Sequence, residues 1–239
     1  MMHERLLCAL AFSLLLVSGR ASAATNEMEK PPAVPHFYSV EAVMAAYGPT
    51  ARKKLQSVFA QQNVLYPPKQ MTWIALKEER MLLLFARDKN GAMRKVLTYP
   101  MIGASGVAGP KLKEGDKQVP EGFYSIAAFR PALVAHIGLE VNYPNNSDRY
   151  HARMEKRKNP GSDILIHGSK WSTGCLAMGN KPIEEMFVLA HETGSEHINL
   201  IFAPCDLRLK KPQVNFKTQP KWLPELYSDL EAQLSKYPI

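Results

Sequence analysis

Between Met71 and Phe202 the chain is a succession of short apolar segments separated by turn signals. Met71 to Leu76 and Met81 to Ala86 are joined by Lys77-Glu78-Glu79-Arg80, and Asn90-Gly91 precedes a returning segment, Arg94 to Tyr99. Asn-Gly supplies the positive φ angles that tight hairpins require, so these segments predict adjacent strands. Gly122 to Phe129, His136 to Val141, Asp163 to His167 and His197 to Phe202 extend the series. Short strands rich in Val, Ile, Leu, Phe and Tyr, at fairly regular spacing, predict a mainly β sandwich or barrel. One helix is expected inside it, from Pro182 to Gly194, with Glu184 and Glu185 at the positive end of its dipole.

Helical pattern flanks this region on both sides. Ser39 to Ala46 reads as one helix stopped by Gly48-Pro49, and Thr50 to Asn63 as a second, ending before Pro67-Pro68. Leu223 to Lys236 reads as a last amphipathic helix. These flanking helices are expected to cover sheet edges. Residues 24–36 are polar and Pro-rich, as in a linker. The expected division is therefore 1–23, 24–70 (linker and helical lead), 71–204 (β domain) and 205–239 (C-terminal extension).

The first segment carries its own signal. Arg5 precedes an apolar run from Leu6 to Val17, and Ala21-Ser22-Ala23 follows. An apolar stretch of that length before an A-x-A site predicts a cleavable secretory signal peptide, and it is short for a membrane span. The expected location is the periplasm. Lys+Arg number 30 against 22 Asp+Glu, a formal +8 that cleavage would lower by one. Such a charge suits an anionic partner. Outside the cytoplasm that partner is an acidic envelope polymer and not nucleic acid.

Three cysteines exclude a disulfide-dense scaffold and a four-cysteine zinc site. His191 and His197 are six apart with Gly194 between them, so they do not share a helical face as zinc ligands do. No metal or cofactor is implied. The Gly103, Gly106, Gly109 series runs into Pro110 and lacks a Gly-Lys-Ser/Thr ending, so it predicts a flexible loop lining a cleft and not a phosphate cradle. The basic run Arg149 to Lys158 reads as a solvated face or as a contact for an acidic substrate.

The chemistry-bearing segment is Asp163 to Met178. Ile164, Leu165 and Ile166 deliver His167 at a strand end, and a turn-rich stretch follows to Gly174 and Cys175. A thiol nucleophile needs a proton acceptor, and backbone N–H groups aimed at the oxyanion, which a neighbouring glycine makes accessible. His167, Gly174 and Cys175 are the residue types for that task. A buried inert thiol beside a hydrogen-bonded histidine satisfies the same spacing, and so does a disulfide from Cys175 to Cys205 in an oxidising compartment.

The segment resembles the active-site signature of the L,D-transpeptidases, the YkuD-type catalytic domain, at His167-Gly168 and Ser172-Thr173-Gly174-Cys175-Leu176. Gly109 to Asp116 and Pro120-Glu121-Gly122-Phe123-Tyr124 are similar to the family's strand-entry motif. Asn142-Tyr143-Pro144-Asn145 with Asp148-Arg149 resembles the YafK-like branch, as does the short interval from His167 to Cys175. The wider family has a histidine before the glycine and an Asn or Arg two places after the cysteine. Here these are Thr173 and Ala177, as in that branch.

The resemblance implies a YkuD-like β fold and a cysteine enzyme acting on peptidoglycan stem peptides. Cys175 would attack the carbonyl of diaminopimelate at position three, with His167 as base. A backbone carbonyl of Gly168 or Ser169 would orient His167, and N–H groups around Gly174 would hold the oxyanion. Lys111, Asn142, Tyr143 and Arg149 are the implied substrate contacts. The thioester would pass to an amine, giving a cross-link or a lipoprotein anchor, or to water. Hydrolysis of the peptidoglycan–lipoprotein link is associated with the YafK-like branch. Stem peptides and an outer-membrane lipoprotein are the implied partners of a monomer. A non-catalytic module binding peptidoglycan through its basic surface is the alternative, and a cysteine protease of unrelated specificity a third.

Overall fold

The computed structural model describes Phe37 and residues 39–239. The signal-peptide and linker expectations lie outside the described residues. In chain order the elements are α1 (Val40–Gln61), β1 (Met71–Leu76), β2 (Met81–Arg87), β3 (Met93–Pro100), β4 (Gly103–Ala104), β5 (Gly122–Leu133), β6 (His136–Val141), α2 (Asn146–Met154), β7 (Leu165–His167), β8 (Leu176–Ala177), α3 (Asn180–Thr193), β9 (Ile198–Ala203) and α4 (Leu223–Leu234). Among the described residues no helix is long and apolar enough to cross a membrane.

The strands are hydrogen-bonded in the order β3-β2-β1-β9-β5-β6-β7-β8-β4. Pairing is antiparallel except between β1 and β9 and between β7 and β8. β5 is the seam. Its first residues, Gly122 to Ser125, pair with β9, and the remainder, from Ile126, pairs with β6. A register shift between Ile126 and Ala128 marks the bend, since a bulge both kinks a strand and increases its twist. The ladder therefore curls into two connected sheets, in line with the mainly β, YkuD-like expectation. It holds two internal helices, α2 and α3, where one was expected.

β1 is buried along its whole length because both of its faces are covered. Trp73 and Ala75 point into the main core, with Leu84, Phe187 and Phe202. Ile74 and Leu76 point the other way, into a second cluster with Phe85, Leu230 and Leu234. A strand covered on both faces carries a continuous apolar run and not an alternation. α4 thus covers a sheet face and not an edge, which corrects the sequence expectation. Leu230 and Leu234 are fully buried there, and each contributes about 1.5–3 kcal/mol by transfer.

The helical lead is also corrected. α1 is one helix that runs through Pro49. Proline inside a helix removes one N–H donor and crowds the preceding turn. Here Val43, Ala51, Leu55 and Phe59 bury one continuous stripe spanning the proline, and that packing overrides the local stop. Lys54 and the Tyr99 hydroxyl both bond Glu185 of α3 at 2.8 Å, and Arg52 pairs with Glu192.

Candidate active site

β7 and β8 lie side by side in parallel, with Ile166 opposite Leu176 and His167 opposite Ala177. Cys175 immediately precedes β8, level with Leu165. Side chains two apart on a strand share a face, so His167 and Cys175 stand on one face as diagonal neighbours. This closeness arises from pairing two strands that flank the turn between them. It requires Gly168: a Cβ there would lie 2.8 Å from the Ala135 carbonyl oxygen and 2.9 Å from Asn180 Oδ1. It also requires Gly174, whose φ is +119°, with space for a Cβ only 3.2 Å from the Gln118 carbonyl oxygen.

His167 is 4% exposed. Its Nδ1 bonds the carbonyl oxygen of Gly168. A carbonyl only accepts, so Nδ1 carries the proton and the lone pair of the neutral ring lies on Nε2. Burial pushes the His167 pKa below its ordinary value, against the opposing pull of the Gly168 carbonyl. The imidazole is therefore neutral at pH 7.

The Cys175 thiol donates to the Asp163 carbonyl oxygen at 3.5 Å. Burial raises its pKa; the Leu165 N–H lowers it, the Asp163 carboxylate raises it and the Lys111 ammonium lowers it. Burial is the largest of these influences, so Cys175 rests as a thiol. The Ser172 hydroxyl donates to the Cys175 carbonyl at 2.6 Å and closes the turn. The pair is thus a neutral thiol beside a neutral base, suited to proton transfer in step with attack. Among the described residues no hydrogen bond partner is found for the Gly174 N–H.

The other expected residues divide. Gly168 supplies the orienting carbonyl. Ser169 does not: its N–H donates to Asn180 Oδ1 at 2.9 Å, and its carbonyl accepts from the Gly179 N–H at 3.1 Å. Lys111 and Tyr143 are turned inward, which corrects their reading as open substrate contacts. Lys111 Nζ pairs with Asp116 at 2.8 Å and sits over the Tyr143 ring at 6.0 Å. The Tyr143 hydroxyl donates to the Pro160 carbonyl at 2.8 Å. Asn142 accepts from the Ser125 N–H at 2.9 Å, and with the exposed Arg149 it lines a shallow depression at the start of α2. Asn180 escaped the sequence reading, because an asparagine at a helix start signals a cap, whereas its side chain holds Ser169 instead. Gln118 escaped too; its backbone, not its side chain, abuts Gly174.

The loop from Ser105 to Gln118 borders the thiol. By extension of the β4–β8 register, Gly103 opposite Ala177 and Ala104 opposite Leu176, Ser105 falls beside Cys175. Clefts open on either side of this loop. One of about 440 Å³ is lined by Ser105, Gly106, Val107 and Arg80, and one of about 530 Å³ by Gly109, Gln118, Lys113 and Arg157. Gly106 and Gly109 of the glycine series thus line clefts, while Gly103 lies in β4. The basic run forms α2 and the turn after it, with Arg149, Arg153, Lys156 and Lys158 exposed. His191 packs against Phe129 at 5.9 Å, and His197 lies beside Glu196. Cys205 is a free thiol, as is Cys175. It is buried in the second apolar cluster, where burial and the nearby Glu78 and Glu79 push its pKa up to about 12.

A model of the L,D-transpeptidase catalytic domain, YkuD, matches residues 69–196. YafK of Escherichia coli K12 is 37% identical over 114 residues, which cover 46% of this chain and 43% of YafK, and YafK of strain O157:H7 gives the same values. The match thus spans less than half the length of these relatives. Among solved structures, the helical cell shape determining protein Pgp2 of Campylobacter jejuni has a TM-score of 0.46 at 16% identity, covering 71% of this chain and 70% of that one. Bd1075 of Bdellovibrio bacteriovorus has a TM-score of 0.42 at 18% identity, covering 70% and 55%.

Proposed function

The chain belongs to the L,D-transpeptidase catalytic-domain family, and from that premise we propose that it is a periplasmic cysteine enzyme acting on peptidoglycan stem peptides. The observation that carries the mechanism is the His167 ring, fixed through Nδ1 to the Gly168 carbonyl with its Nε2 lone pair free, on the same face as Cys175. Cys175 Sγ attacks the carbonyl carbon of the diaminopimelate residue at position three. The thiol proton passes to His167 Nε2, the S–C bond forms, and the charge on the carbonyl oxygen is met by N–H groups around Gly174. Collapse breaks the amide C–N bond, and His167 returns the proton to the leaving nitrogen. The resulting thioester is opened by an incoming amine or by water. Where the broken amide held a lipoprotein, the lipoprotein departs as the leaving amine when the thioester forms, and water then frees the stem-peptide carboxylate; an incoming amine instead makes a new amide link.

The exposed Arg149, Arg153, Lys156 and Lys158 support an anionic polymer as the substrate. Mass spectrometry of products from lipoprotein-linked and lipoprotein-free sacculi tests the reading. Wild type is expected to convert one of them, and Cys175→Ala neither. Full turnover by Cys175→Ala excludes the thioester. Binding to sacculi without turnover by wild type would leave the non-catalytic module.

A further inference from the structure

The nucleophile is bordered by the loop from Gly109 to Glu121, and this loop is held from outside the family-matched segment. Two separate chains of hydrogen bonds reach it from the C-terminal extension. In the first, the Tyr227 hydroxyl of α4 donates to Glu121 Oε2 at 2.8 Å. Glu121 Oε1 accepts from the Gly109 N–H at 2.9 Å and from Lys77 Nζ at 2.8 Å. Lys77 Nζ also donates to the Gly109 carbonyl at 2.9 Å and the Val119 carbonyl at 2.8 Å. Both ends of the loop are thereby fastened to one buried carboxylate. In the second chain, Trp222 Nε1 donates to Glu155 Oε1 at 2.8 Å, Arg157 Nε donates to Glu155 Oε2 at 2.7 Å, and Arg157 Nη1 donates to the Leu112 carbonyl at 2.7 Å.

What the loop carries makes this consequential. The Gln118 carbonyl oxygen lies 3.2 Å from where a Cβ on Gly174 would sit, so the loop packs closely against Gly174, the neighbour of Cys175. Lys111, from the same loop, brings its charge to bear on the Cys175 thiol. Buried groups that are fully paired hold a single geometry, because every alternative leaves a donor or acceptor unmet.

We infer that the C-terminal extension is a positioning element of the active site: Tyr227 and Trp222 hold the Gly109–Glu121 loop against Gly174 and Cys175. The proposal rests on Cys175 being the nucleophile, and it does not depend on which substrate the enzyme opens.

Tyr227→Phe and Trp222→Phe each remove one hydrogen-bonding group and keep an aromatic ring, so folding is preserved. Leu234→Val, in the same helix, supplies a loss of stability without touching either chain. Alkylation of Cys175 by iodoacetamide, followed against pH in the full chain and located by peptide mass spectrometry, reads the site without any substrate. The charged groups acting on the thiol there are Asp163 and Lys111; neither is altered, nor is His167 on the same face. Loosening the loop admits water to a thiol held up mainly by burial. Tyr227→Phe should therefore alkylate faster, about threefold at neutral pH, with its midpoint moved to lower pH. Turnover should fall about three- to tenfold in kcat with KM nearly constant, since the geometry of attack and not binding is lost. Combining Tyr227→Phe with Trp222→Phe should exceed either alone. Profiles superimposable on wild type would overturn the proposal, and so would an equal displacement in Leu234→Val. If wild type turns over no muropeptide, the functional reading fails while the alkylation comparison still decides this one.

Discussion

The surroundings of Glu121 and those of Cys175 are both buried and polar, yet they are built in opposite ways. Around Glu121 each charge meets its complement: Lys77 Nζ has three partners, and the carboxylate accepts from Lys77, Gly109 and Tyr227. Around Cys175 there is no ion pair with the base. The thiol has a long contact to a carbonyl oxygen and the imidazole one carbonyl. Saturation in the first region makes a rigid frame. Under-commitment in the second leaves two neutral groups with reactive lone pairs, which is what a nucleophile and its base require before substrate arrives. Stability and reactivity are thus assigned to different residues, and substitutions should separate them.

The largest separation is expected at Cys175. Cys175→Ala should abolish thioester-dependent turnover while shifting the melting temperature little; a product assay on sacculi and a thermal melt check it together. His167→Ala should fall to a similar activity, a loss of about 10²–10⁴-fold, because a nucleophile–base pair fails as a unit. Retention of more than a tenth of the rate by His167→Ala would assign the base elsewhere. Glu121→Ala should lose mainly stability, with turnover falling at least as far as in Tyr227→Phe because the Gly109–Glu121 loop loses its anchor. It strands the Lys77 ammonium in the interior, a loss of about 3–5 kcal/mol for a broken buried pair, measurable by urea denaturation. If Glu121→Ala instead kept its stability and lost only activity, the contrast between the regions would collapse.

A smaller effect is expected with pH. The imidazole pKa is lowered and the thiol pKa raised. Activity should therefore stay level across neutral pH, its acid limb below the ordinary histidine value and its alkaline limb above the ordinary thiol value. For stability the sign follows from proton counting. Below the ordinary histidine value the unfolded chain binds a proton that the folded His167 refuses, so the His167 contribution is lost as pH falls through that window. The smallest effect is expected at Tyr143→Phe, which removes one hydroxyl bond to Pro160 and should cost about 1 kcal/mol with KM unchanged. A raised KM would return Tyr143 to the substrate side.

The parts of the fold legible in the sequence are those where side chains record burial. β1, β2 and β9 are covered by apolar layers and read as apolar runs, and α3 presents a buried stripe between clear end signals. α2 left no such record, because a single residue of it, Ala152, is buried, and its capping box, Asn145 with Asp148, is followed by a charge run and not by an apolar stripe. β4 and β8 are two residues each, too short for any alternation. At the site, His167, Gly168, Gly174 and Cys175 were legible because the chemistry restricts the residue type. Lys111 and Tyr143 misled because their partners are backbone carbonyls and a nearby carboxylate, which no spacing announces.

The pairing of β1 with β9 has a consequence for how the molecule is made. It joins Met71 to Ile198 in parallel, across most of the folded chain. During synthesis β1 and β2 emerge early, but the strand that seats between β1 and β5 comes last of all the strands. Until Ile198–Ala203 is available, β1 and β5 each present an open edge of unpaired N–H and C=O groups on apolar strands. Such edges recruit other chains, and contacts so distant in sequence form slowly. A ribosome-bound or prematurely ended chain lacking β9 is therefore a sticky half-sheet, and Ile198–Ala203 is the segment whose arrival closes it.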